Sequence, residues 1–141
     1  MSSNLKAACV LIFSQDGSKI LAVSRKDDFT AFGIPGGKLD SNEDFLQAAF
    51  RETLEETGYT IKISETSKLN PYEVVDENGV LVQTYVARID GSVPRQQLDV
   101  SETGVVKYVK PDVLFAGPFS QYNKDLLAWF NGLSTEIKAS I

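Results

Sequence analysis

GKLDSNEDFLQAAFRETLEETGY, residues 37–59, reads as a helix with both ends specified. Ser41 or Asn42 can cap it, Glu43 and Asp44 favour the positive end of its dipole, and Gly58 supplies the stop. Leu46, Phe50, Thr53, Leu54 and Thr57 trace one face, while Phe45, Ala48 and Ala49 continue the face carrying Glu52, Glu55 and Glu56. Those glutamates fall at i, i+3 and i+4, so they repel one another. They also occupy the last turn, where the dipole is already negative. Each effect costs only tenths of a kcal/mol, but all act in the same direction. Arg51, four residues before Glu55, offsets only part of the charge. Carboxylates gathered against their local electrostatics imply a cation from outside the chain.

The segment just before this helix contains Pro35-Gly36-Gly37. With no Cβ at two successive positions, backbone groups there can approach an ion or a phosphate closely. Hard divalent cations such as Mg²⁺ take carboxylate, carbonyl and water oxygens and share their coordination with substrate phosphates. Loop and helix together therefore predict a site in which metal bridges an acidic protein to an anionic substrate.

Composition narrows the chemistry further. The chain has 141 residues, 43% of them hydrophobic, a net charge of -5 and no histidine. One domain covering residues 1–141 is the expectation. Lack of histidine removes Ser-His catalysis and histidine-ligated zinc, leaving carboxylates as the acid, base and metal groups. The acidic balance argues against a broad nucleic-acid-binding face. The longest apolar run, Ala7 to Phe13, is far short of the roughly 20 residues that span a bilayer. A single cysteine, Cys9, cannot form an internal disulfide and fits a reducing compartment. A cytoplasmic protein without membrane partners is expected.

Around the helix, AACVLIF and KILAVS read as a hairpin joined at SQDGS. Neither run alternates cleanly, so both faces of these strands are expected to be covered by helices. YTIKIS follows Gly58 as a further strand. YEVVD and VLVQTYVARI form a second hairpin turning at Asn78-Gly79, and VVKYV is another strand. Ser120 can cap a C-terminal helix whose Tyr122, Leu126, Trp129, Phe130 and Leu133 recur at helical spacing and read as core.

From Gly37 the order is glycine, five residues, Glu43, seven residues, then RETLEETGY. This closely resembles the signature of the Nudix hydrolases, with every charged and glycine position in agreement and mild departures at Thr53 and Tyr59. The resemblance implies an α/β/α sandwich with a mixed β-sheet, and hydrolysis of a nucleoside diphosphate linked to another group. It implies Mg²⁺, replaceable by Mn²⁺, on Glu52, Glu55, Glu56 and the carbonyl of Gly36, with Arg51 orienting a neighbouring glutamate and Glu43 bracing the loop. It places Glu102 as an auxiliary ligand or base, with Asp99 second. For substrate it points to Lys38 on phosphate, Phe32 as a base stacker, and Arg25 on phosphate or base. Lacking clear markers of other branches, the chain resembles enzymes that convert a (d)NTP or oxidised purine nucleotide to monophosphate and pyrophosphate. ADP-ribose or dinucleoside polyphosphate hydrolysis, or nucleotide sensing without catalysis, are the alternatives. A monomer or homodimer fits this class.

Overall fold

A computed structural model describes residues 5–61, 71–76, 78–89, 103–117 and 119–139. Its strands are β1 (Lys6–Phe13), β2 (Ile20–Arg25), β3 (Asp28–Gly33), β4 (Gly36–Lys38), β5 (Tyr72–Val75), β6 (Leu81–Arg88) and β7 (Val106–Val109). The helices are α1 (Phe45–Thr57), α2 (Ser120–Asn131) and the short α3 (Thr135–Ala139). A 3₁₀ segment, Pro111–Ala116, leads toward α2.

The strands form one mixed sheet in the order β3-β2-β1-β6-β5, with β4 on β1 and β7 on β2. β1 and β6 run parallel, Lys6 opposite Leu81 through Phe13 opposite Arg88. The other pairs are antiparallel. Both predicted hairpins are present, and Gly79 turns the second at φ 79°. The expected layering is found as well. Alternate β1 residues Leu11 and Phe13 pack under α2 with Leu126, Leu127 and Phe130. Ala8, Val10 and Ile12 pack under α1 with Ala48 and Ala49. Alternation along a strand thus feeds two cores, which is why β1 reads as a continuous apolar run. The predicted α2 stripe belongs to the first core, although Ser120 is not its cap: Phe119 occupies that position and makes no side-chain cap hydrogen bond.

Two expectations for α1 are corrected. Its N-cap is Asp44, whose carboxylate accepts the Gln47 N–H at 2.8 Å while the Gln47 side chain accepts the Asp44 N–H at 3.0 Å. Gln47 completes a reciprocal capping box that neither Ser41 nor Asn42 can form. Its deepest face is Ala48, Ala49, Thr53 and Thr57, all 0% exposed, whereas Leu46, Phe50 and Leu54 are only half-buried. Small side chains let the helix axis approach β1 closely, so the adjacent glutamate edge is drawn toward the sheet. Gly58 ends α1 as expected, at φ 79° with its N–H on Leu54 O.

The two unanticipated strands, β3 and β4, shape the site. β4 pairs with the beginning of β1, Cys9 opposite Gly36 and Ala7 opposite Lys38, while β2 meets the other end at Phe13 and Ile20. Pro35 O accepts the Val10 N–H at 3.0 Å. The Pro-Gly-Gly bend is therefore held as sheet. Of YTIKIS, Tyr59 to Ile61 do not form an extended strand, and the remainder lies outside the described residues.

Candidate active site

β4 lies against the last turns of α1, and its two glycines make the contact possible. A Cβ on Gly36 would fall 2.5 Å from Cys9 Sγ, and one on Gly37 would fall 2.5 Å from the Glu52 carboxyl carbon. Gly36 donates its N–H to Glu56 Oε1 at 2.9 Å. Glu56 is largely desolvated, and this burial pushes its carboxyl up to about 7 against the help of that hydrogen bond, with Glu52 and Glu55 adding repulsion.

Arg51 organises the remaining carboxylates. Its Nε and Nη2 clamp Glu43 at 2.7 and 2.9 Å, Nη1 reaches Glu52 at 2.9 Å and Glu55 at 3.2 Å, and Nη2 also reaches Lys38 O at 3.1 Å. The fork geometry of guanidinium allows this division among partners. Glu43, held near 2 chiefly by Arg51, also accepts the Asp40 N–H at 2.8 Å and so braces the loop. Arg51 in turn has its pKa raised, first by Glu43.

Glu52, Glu55 and Glu56 thus share one end of α1, but among the described residues no three carboxylate or thiol groups converge as a finished metal cage. Arg51 draws Glu52 and Glu55 toward itself while Glu56 turns to Gly36. The donor set nevertheless fits a hard divalent cation: carboxylate oxygens beside a Cβ-free backbone, one of them on a carboxyl that burial holds partly protonated and whose proton a bound cation would displace. The observed Gly36 contact runs through its N–H; the sequence reading expected its carbonyl as ligand.

On the opposite face of the sheet a cleft of about 930 Å³ begins at Gly36, Gly37 and Lys38 and ends at the first turns of α2. Ala7, Cys9 and Val82 lie along its floor, with Tyr72 and Tyr122 beside it. Thr84 and Tyr122 share a hydrogen bond that ties floor to wall. Tyr72 packs against Trp129 with ring centroids 5.1 Å apart and planes tilted by 39°. Burial, then the charge of Glu56, pushes the Cys9 thiol up to about 12, so it acts as an inert lining group.

Lys38 lines the mouth of the cleft. Phe32 does not: it is 4% exposed, packed in the α2 core, with Lys107 Nζ 5.0 Å from its ring centroid. The aromatic groups beside the cleft are instead Tyr72, Phe119 and Tyr122. Arg25 is also absent from the cleft lining; its guanidinium is paired with Asp27 through two 2.8 Å bonds at the β2–β3 corner. Glu102 and Asp99 lie outside the described residues. Gly104, at φ 88°, fixes the chain just after them: an added Cβ would strike Ser24 O, and Val105 N–H donates to Ser24 Oγ at 2.8 Å. Sequence reasoning missed Tyr72 and the polar first turns of α2, because the helical stripe there explains Tyr122 as core.

The NUDIX domain family profile matches residues 3–130. A Bacillus subtilis (strain 168) protein with the provisional name 8-oxo-dGTP diphosphatase is 34% identical over 104 residues, 72% of this chain and 64% of that protein. The chain therefore spans just under two thirds of the length of this relative. A MutT structure from work on Aliivibrio salmonicida and Vibrio cholerae superposes with TM-score 0.67 and 21% identity, covering 93% of this chain and 98% of that one. A Caenorhabditis elegans Ap4A hydrolase gives 0.61 and 18%, over 90% and 99%. A Francisella tularensis bifunctional NMN adenylyltransferase/ADP-ribose pyrophosphatase gives 0.68 and 18%, over 93% and 42%. These structural likenesses establish the fold, and the three names differ in substrate.

Proposed function

Since this chain belongs to the NUDIX domain family, we propose that it hydrolyses the phosphoanhydride of a nucleoside triphosphate, a (d)NTP or an oxidised purine nucleotide, to monophosphate and pyrophosphate. The supporting observation is β4: one short strand carries the glycines that meet Glu52 and Glu56 and also forms the mouth of the cleft. Phosphates entering beside Lys38 would meet the carboxylate end of α1, while the cleft receives the nucleoside.

Glu52, Glu55, Glu56, the carbonyl of Gly36 and Glu102 would hold the divalent cation, Mg²⁺ or Mn²⁺. When bound, that cation supplies charge neutralisation of phosphoryl oxygens and acidifies a water. Arg51 holds Glu52 and Glu55 near each other against their mutual repulsion, a task set by its three-way division. Lys38 offers an ammonium to the phosphate chain. One carboxylate of the set accepts the proton of the attacking water, so no covalent intermediate with the protein is required.

A panel of nucleotides incubated with Mg²⁺ and separated by chromatography tests the reading. Heavy-oxygen water is expected to label one phosphate product and leave the protein unlabelled. Intact triphosphates alongside cleaved ADP-ribose or dinucleoside polyphosphate would replace the substrate. Tight binding with no cleavage under any metal would replace hydrolysis by sensing.

A further inference from the structure

Between β1 and β4 the backbone hydrogen bonds run through Val10 N–H to Pro35 O and Leu39 N–H to Lys6 O, each at 3.0 Å. Bonded and non-bonded pairs alternate along an antiparallel ladder, so Cys9–Gly36 and Ala7–Lys38 are non-hydrogen-bonded pairs. The backbone groups of Gly36 and Lys38 therefore point away from β1, and α1 takes them: Glu56 Oε1 accepts the Gly36 N–H at 2.9 Å, and Lys38 O accepts from Arg51 Nη2 at 3.1 Å. Gly36 is thus seated against its partner residue by contact alone. Non-bonded pairs also bring their side chains closest. Cys9 Sγ fills the space that a Gly36 Cβ would need: it lies 2.5 Å from that point, with Ala8 O at 2.5 Å and Cys9 Cα at 2.8 Å. Thr84, 0% exposed, hydrogen-bonds the thiol and shares another hydrogen bond with Tyr122, so the sulfur is held from the cleft floor. Glu56 lies near enough for its charge to be felt at the thiol. Thiol, glycine and carboxylate therefore follow one another across β4.

From this arrangement we infer that Cys9 is a positioning residue: its sulfur seats Gly36 where the outward N–H meets the Glu56 carboxylate. It touches no reacting atom and acts through Gly36. Because the thiol is chemically inert here, its contribution is a γ atom of suitable size, held in place by Thr84. A serine hydroxyl at the same position keeps that atom and its hydrogen bond, whereas alanine has neither. The inference rests on the proposed role of Glu56 in hydrolysis for its effect on rate, while the seating of Gly36 is read in the metal-free protein.

Amide hydrogen exchange, followed by NMR in chelator, compares wild type with Cys9→Ser and Cys9→Ala. The Gly36 amide reports the contact with Glu56, and the Val10 amide, bonded to Pro35 O, reports the pairing of β4 with β1. In Cys9→Ala the Gly36 amide is expected to exchange about 10-fold or more faster than in wild type, with Val10 changed by less than about threefold. In Cys9→Ser both amides are expected to stay within about threefold of wild type. With Mg²⁺ and a nucleotide that wild type cleaves, Cys9→Ala is expected to lower kcat about 10-fold at nearly constant KM, and Cys9→Ser to recover most of the loss. Thermal melts verify that both variants fold. Unchanged Gly36 exchange in folded Cys9→Ala, equal acceleration at Gly36 and Val10, or a serine variant no better than alanine overturns the positioning role. A change confined to KM also overturns it and makes Cys9 a contact of the cleft floor. Faster Gly36 exchange in Cys9→Ala, with no nucleotide cleaved by wild type, retains the seating and overturns hydrolysis. Cleavage by wild type with Gly36 exchange unchanged in Cys9→Ala does the reverse.

Discussion

Glu56 Oε1 accepts the Gly36 N–H at 2.9 Å, so the last turn of α1 is tied to β4 by a carboxylate that burial and two neighbouring glutamates all disfavour. The local structure keeps this group at a cost to folding, which makes its removal informative.

Glu56→Gln retains an oxygen for the Gly36 N–H and removes the charge. The metal-free variant is expected to be at least as stable as wild type, with a gain on the order of 1–3 kcal/mol. Turnover with Mg²⁺ is expected to fall at least about 100-fold. Thermal melts in chelator beside initial rates test both halves, and a parallel loss of stability and activity would make Glu56 structural.

The pH dependence of metal-free stability has a defined sign. Glu56 is raised from 4.5 to about 7, so between those values the folded state holds a proton that the unfolded state has released. Its contribution is therefore fully present below pH 4.5 and is lost as pH rises toward 7. Glu43, lowered from 4.5 to about 2, contributes in the opposite sense: full above 4.5, lost as pH falls toward 2. Melting temperature in chelator is expected to peak near pH 4.5–5. Glu56→Gln is expected to flatten the limb between 4.5 and 7 alone. A wild-type curve that rises steadily to pH 7 contradicts this assignment.

Arg51→Lys replaces a five-donor fork with a point charge that cannot serve Glu43, Glu52 and Glu55 together. Stability in urea is expected to drop by about 1–3 kcal/mol, and kcat by about 10–100-fold with KM for nucleotide little changed. A shift confined to KM would assign Arg51 to substrate instead.

Thr53 Oγ1 is buried and has no hydrogen-bond partner among the described residues. Thr53→Val keeps the shape and deletes the stranded hydroxyl. A gain of about 0.5–2 kcal/mol in urea denaturation is expected; a loss would mean that the hydroxyl has a partner in solution.

If Glu102 supplies a ligand or base, Glu102→Gln lowers kcat by about 10–100-fold at nearly constant KM. Unchanged kcat passes the role to Asp99, tested by Asp99→Asn.

Much of the site was legible because its logic is local. The Gly58 stop and the i, i+3, i+4 spacing of Glu52, Glu55 and Glu56 depend on residues a few positions apart, and Arg51 beside them can be paired on paper; the N-cap was misplaced, because Ser41, Asn42 and Asp44 all carry capping side chains and the Gln47 reciprocal bond selects Asp44. The strands β3 and β4 were not legible: AFGIPGGK lacks strand propensity, and β4 exists because the beginning of β1 offers hydrogen-bonding groups that β2 has left. Phe32 looked like a stacker from its place before the glycines, yet β3 carries it into the α2 core.

The amino-acid sequence by itself determined the family, the α1 carboxylate set and the continuous apolar runs that give the sheet two covered faces. These follow from spacing along one element, and spacing survives without any knowledge of distant contacts. Tertiary structure alone decided that α1 lies on its alanine and threonine face, which desolvates Glu56, and that Tyr72, Gln121 and Asp125 meet at one cleft. Those outcomes depend on the parallel pairing of β1 with β6 across more than half the chain. Such a pairing leaves no periodic mark in either strand, because a hydrogen-bonded backbone edge is the same whatever side chains it carries.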